Sequence, residues 1–138
     1  MSKSAKTLLV FGLYLAGMGV GFVFIPNVLL GVLGFPPTAE VWSRVVGMLA
    51  LFLAFYYVQA ARTDFRPFIQ WTVYTRVAGF LFFAGFVLAE LAGPVMLLLG
   101  AVDLASALWT QWTLRQDVRL SPGRHAQPAS PSTQQTRA

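Results

Sequence analysis

Seven residues of this chain could do chemistry in surroundings that are otherwise apolar: Glu40, Arg44, Arg76, Glu90, Asp103, Ser106 and Thr110. A carboxylate taken out of water holds its proton more tightly. Asp103 or Glu90 could therefore carry a proton for an isomerase-like reaction or for coupled transport. An arginine in such a place offers a fixed fork of donors to a carboxylate, a phosphate or a carbonyl. A charge at membrane depth is costly, which makes each of these residues a functional candidate. On a helix, Asp103, Ser106, Thr110 and Thr113 fall three and four residues apart and so form one polar stripe. A plainer reading stands beside this one. A buried Asp–Arg pair can serve only to fix helix register, and Ser or Thr often bonds to its own backbone.

The elements that must carry these residues are apolar runs too long for ordinary core helices. The chain has 138 residues, 57% hydrophobic and 11% charged, where soluble domains carry about 25% charged residues. Its mean hydropathy is +0.64. Residues 7–25 contain no charge and as a helix would reach about 28 Å, enough to cross a bilayer core. The run exceeds a signal-peptide core and is followed by no small-residue cleavage site, so it reads as a retained span. Further spans are predicted at 41–61, 68–91 and 95–113, giving an all-α, four-helix integral membrane bundle. Residues 28–35 are apolar but too short to cross and read as an interfacial segment. Pro36-Pro37 breaks the chain, Thr38 suits an N-cap, and Pro67 suits a helix's first turn. Gly47, Ala50, Ala54 and Ala61 mark the packing face of the second span, and Gly17 with Gly21 makes a GxxxG in the first. Residues 121–138 are rich in Pro, Ser and Gln and read as a disordered tail beyond a membrane domain of residues 1–120.

Charge sets the orientation. Lys3, Lys6, Arg62, Arg66, Arg115, Arg119, Arg124 and Arg137 fall on one side of this topology, with Arg44 alone near the other. The positive-inside rule then places both termini in the cytoplasm. Trp71, Trp109 and Trp112 mark the inner boundary and Trp42 the outer one. The net charge of +5 is accounted for by topology and anionic lipid, leaving no support for a nucleic-acid partner. There is no cysteine, and the one histidine, His125, lies in the polar tail. Thiol chemistry, metal sites and histidine-ligated haem are therefore not expected, and no cofactor is implied.

Depth along the helices predicts partners. A tight hairpin at Gly93 would set Asp103 opposite Phe83, leaving Arg76 about 10 Å further toward the cytoplasm. Side chains lean toward their helix's N-terminus, so Asp103 should lean outward and Arg76 inward. The expected pairing is Asp103 with Arg44, in an outer-half cluster with Glu40 and Glu90, while Arg76 snorkels toward Gln70, Tyr74 and the 62–66 loop.

Short stretches also resemble a known group. Arg44-Val45-Val46-Gly47, Tyr56-Tyr57 followed by Ala60-Ala61-Arg62, Arg76, and Gly100-Ala101-Val102-Asp103-Leu104 resemble the DoxX-like small bacterial four-helix membrane proteins. The resemblance implies the architecture, and some members of that broad group are accessory subunits of quinone-linked oxidoreductases. It carries no catalytic motif across. Three readings follow. The first is a protein that binds a lipid or small apolar molecule, or an accessory subunit of a membrane complex, working through an outer-half polar pocket. The second is a membrane enzyme with a carboxylate proton carrier. The third is a proton-coupled transporter built as a homodimer, one form of a homo-oligomer.

Overall fold

In a bilayer every backbone polar group must be satisfied within its own segment, so uninterrupted apolar runs become helices. A computed structural model describes residues 1–119. The expected tail lies outside the described residues. Five helices form: α1 (Lys3–Phe24), α2 (Pro26–Val32), α3 (Trp42–Arg62), α4 (Arg66–Leu88) and α5 (Met96–Arg119), with no strand among the described residues. α1, α3 and α4 are long and apolar enough to cross a membrane. α5 has the length, at 24 residues, but its second half is more polar. The described chain is thus an all-α, multi-helix membrane-spanning bundle.

The helix ends differ from the sequence expectation for local reasons. α1 begins at Lys3 because Ser2 caps it, its hydroxyl accepting from the Ala5 amide at 3.1 Å. The segment expected to be interfacial contains a two-turn helix, α2, with Pro26 in its first turn. Gly34 follows at φ +79°, a left-handed conformation that costs glycine nothing. α4 stops at Leu88, and Glu90 adopts φ +57° in the turn beyond it. α5 starts at Met96 and continues past Thr113 to Arg119.

The helices associate as two antiparallel pairs. α1 packs along α3, where Gly19 meets Gly47 so closely that a Cβ on Gly47 would sit 2.8 Å from the Gly19 carbonyl oxygen. Small residues permit this approach, which supplies the dispersion contacts that hold helices together in lipid. Gly17, by contrast, faces open space and Gly21 faces Leu29 of α2, so the GxxxG is not the α1–α3 contact. α4 packs along α5, with Gly100 under Phe80 and Phe83.

The two pairs are joined through one half of the bundle. Ala5, Leu8, Phe11, Tyr57, Ala60, Ala61 and Ile69 form the buried core there. At that end the Ser2 amide and hydroxyl both donate to Asp64, and the Ser4 amide and hydroxyl both donate to Asp117. The start of α1, the α3–α4 turn and the end of α5 therefore share one end, here called basal. Along α4 the buried residues are Ile69, Thr72, Val73 and Arg76, with none in the distal half. Arg76 therefore sits where the junction between the pairs stops.

Candidate functional site

Four hydroxyl-bearing residues along α5 and α1 build the polar part of the junction. Ser106 donates to the Asp103 carbonyl at 2.8 Å, and Thr110 donates to the Ser106 carbonyl at 2.9 Å. Thr113 donates in the same way to Thr110, and Thr7 to Ser4. Backbone bonds of this kind use the one hydroxyl proton and leave oxygen lone pairs facing outward as acceptors. The Thr7 and Thr110 hydroxyl oxygens lie 3.0 Å apart. With the Thr110 proton on the Ser106 carbonyl it is Thr7 that donates across the gap, sharing its proton between Thr110 and Ser4 and tying α1 to α5.

Arg76 of α4 reaches into this row. Its Nη1 donates to the Ser106 and Thr110 hydroxyls, each at 3.3 Å. Its guanidinium carbon lies 3.8 Å from the centre of the Phe11 ring and 5.4 Å from that of Tyr57. A cation held over aromatic faces away from water gains on the order of 2 kcal/mol. The residue is only 3% exposed. Nε and Nη2 are buried and have no partner at hydrogen-bond geometry among the described residues, which leaves three of the five guanidinium N–H groups without one there. Each such group costs about 1–3 kcal/mol when buried.

Asp103 lies one turn from Ser106 on the same helix and is half-buried. Its Oδ2 sits 3.6 Å from where a Cβ on Gly79 would stand, so the missing side chain at Gly79 leaves room for the carboxylate. Asp103 is therefore opposite Gly79, not Phe83. That four-residue difference shifts it about 6 Å toward Arg76.

The expected Asp103–Arg44 pair does not form. α3 packs on α1 and not on α5, so Arg44 turns to the end of α1 and donates to the Val23 carbonyl. With Glu40 and Asn27 it lines a separate distal cleft of about 340 Å³. Glu90 is exposed in the α4–α5 turn. Arg76 does not snorkel outward. Tyr74 points away, 63% exposed, accepting from Gln70 at 3.4 Å. The sequence-derived candidates thus separate into Asp103, Ser106 and Thr110, gathered with Arg76, and Glu40 with Arg44 at the other end.

Phe11, Thr7, Ser4 and Asp117 escaped the sequence reading as contributors to the site. Phe11 carried no polar signal. Ser4 and Asp117 did, since Asp117 continues the stripe of Asp103, Ser106, Thr110 and Thr113 at the same alternating spacing. Burial pushes the Asp117 carboxyl up, but the Ser4 hydroxyl at 2.7 Å and amide at 3.1 Å, with the Lys3 amide and the Arg66 charge, outweigh it. Together they hold the carboxyl below its ordinary value.

The basal end also carries two larger clefts beside α5. One, of about 390 Å³, lies against α4 and is lined by Arg66, Gln70, Gln111, Leu114, Arg115, Val118 and Arg119. The other, of about 490 Å³, lies against α1 and includes Lys3, Lys6, Trp109 and Trp112. Comparison of the chain with protein-family models, curated proteins and solved structures found no match. Its helices are those of a generic multi-span membrane protein.

Proposed function

We propose that this small multi-pass membrane protein binds a lipid or a small apolar molecule bearing an acceptor group, with Arg76 as the anchor. The observation that carries this reading is the buried guanidinium with Nε and Nη2 unpartnered. A carbonyl, carboxylate or phosphate on the ligand would meet both donors in the fork geometry that arginine favours. Phe11 and Tyr57 hold the guanidinium plane, and Ser106 and Thr110 fix Nη1, so the free donors are pre-oriented. Asp103, one turn away, would discriminate against a second anion or accept a hydrogen bond from a hydroxyl on the ligand. α4 has no buried residue beyond Arg76, which leaves an approach from the distal half of the bilayer.

The same proposal includes four spans, with α5 as the fourth, and both termini in the cytoplasm of a bacterial inner membrane. The Lys/Arg distribution supports it, as does the return of α1, the α3–α4 turn and α5 to one end. The resemblance to the DoxX-like group points the same way and keeps open the role of accessory subunit. In the second reading, a membrane enzyme, Asp103 would be the proton carrier. The observation favouring it is the placement of that carboxylate at the unburied edge of the junction, beside Gly79.

The test is extraction of small molecules from the purified protein and from Arg76→Gln, followed by mass spectrometry. The expected result is a species bound at near-equal molar ratio to the native chain and lost from the variant. Equal retention by a well-folded Arg76→Gln variant would refute Arg76 as the anchor.

A further inference from the structure

We infer that the basal cleft between α4 and α5 is a binding site for an anionic phospholipid, separate from the Arg76 junction. Arg66 comes from the first turn of α4, and Arg115 and Arg119 from the last turns of α5. The antiparallel packing of the two helices brings all three to one cleft of about 390 Å³. No acidic side chain among the described residues lines it. Asp117, turned to Ser4 on the α1 side, offsets Arg66 from behind, and the cleft itself presents three converging positive charges. Gln70 and Gln111 add neutral donors, while Leu114 and Val118 supply an apolar wall.

Free phosphate or a soluble anion would leave that wall in contact with water. A lipid would not, because its phosphodiester would meet the arginines while its glycerol and upper acyl chain lay along Leu114 and Val118. The residues from Gln111 to Arg119 extend over about 12 Å of helix, the scale of a headgroup and its glycerol region. The level also fits. Trp71, Trp109 and Trp112 are 59%, 50% and 62% exposed at this same end, as side chains of an interfacial aromatic belt would be. A smaller cleft lined by Trp112, Arg115, Gln116 and Arg119 adjoins the site, so Trp112 stands beside two of its arginines.

The experiment titrates phosphatidylglycerol, phosphatidylcholine or inorganic phosphate into the full chain in a neutral detergent, with tryptophan fluorescence as the readout. Saturable binding of phosphatidylglycerol is expected, with no comparable response to phosphatidylcholine or to inorganic phosphate. Each basic residue near an anionic surface contributes about fivefold, so Arg66→Gln/Arg115→Gln/Arg119→Gln should bind about 100-fold more weakly. Arg115→Gln alone, at an exposed position, should weaken binding about fivefold and guards against misfolding of the triple variant. Arg62→Gln removes one exposed charge outside the cleft and should bind as the native chain does. An unchanged affinity in Arg115→Gln and the triple variant would overturn the inference. So would an equal response to phosphatidylcholine, or an equal response to inorganic phosphate.

Discussion

Replacing Arg76 by methionine keeps a long flexible side chain and removes the charge, and the structure dictates an outcome that depends on what occupies the site. Two hydrogen bonds to hydroxyls are lost, and a charged donor makes each worth about 1.5–3 kcal/mol. The contact with the Phe11 ring adds on the order of 1–2 kcal/mol to the loss. Against this stand three buried N–H groups without partners, at about 1–3 kcal/mol each, and the desolvation of the ion itself, several kcal/mol. Ser106 and Thr110 are not stranded by the change, because their protons already bond to backbone carbonyls. The two sides are of similar size, and Asp103 also loses the neighbouring positive charge, so the variant of the empty protein should unfold within about 2 kcal/mol of the native chain. A ligand at about a hundred times its dissociation constant would add about 2.7 kcal/mol to the native chain alone. The difference between the two chains should therefore shift toward the native chain by about that amount when delipidated protein is supplied with total membrane lipid extract. The assay is thermal unfolding of both chains in detergent under the two conditions. A variant less stable than the native chain by more than about 2 kcal/mol in both would refute the reasoning and make Arg76 a structural tie between α4 and α5.

The close approach of α1 and α3 predicts a contrast between two glycines. Gly47→Ala would press a methyl against the Gly19 carbonyl and the Val23 amide, both at 2.8 Å, and should cost about 1–3 kcal/mol in unfolding free energy. Gly85→Ala meets nothing within 4 Å and should fall within about 1 kcal/mol of the native chain. At the basal clasp the folded-state pKa of Asp117 lies below its ordinary value. Its contribution is therefore present above the unfolded pKa of about 3.9 and is lost as pH falls through the lower folded value. Acid titration of stability should show this loss below about pH 4 in the native chain and not in Asp117→Asn. Because Arg44 bonds to Val23 and Asp103 faces Gly79, Arg44→Gln and Asp103→Asn should be additive within about 0.5 kcal/mol in a double-mutant cycle on melting. A single cysteine at Thr63 should be labelled only from the cytoplasmic side, and labelling from outside intact cells would contradict the four-span proposal.

What could be read from the sequence was what depends on one helix at a time. Apolar length gave α1, α3 and α4, and small residues at helical spacing marked the face of α3 that buries Gly47, Ala54 and Ala61. The stripe on α5 was likewise visible, because its spacing fixes one face whatever that face meets. What could not be read was which helices are neighbours, since a bilayer-length helix can turn any side to any other. The Arg44–Asp103 pairing assumed that α3 lies against α5. The Gly19–Gly47 contact commits α3 to α1 instead, and Arg44 follows it. Depth was sensitive to the turn in the same way. Ending α4 at Leu88 and starting α5 at Met96 slides Asp103 about one turn toward Arg76 relative to a tight hairpin at Gly93. The lean of Arg76 was then decided by what stood beside it. Phe11 and Tyr57 of the other pair offered aromatic faces, and Ser106 and Thr110 offered oxygens. The polar stripe on α5 thus found its partner on α4, and the charge expected to turn to the rim lies instead at the centre of the polar junction.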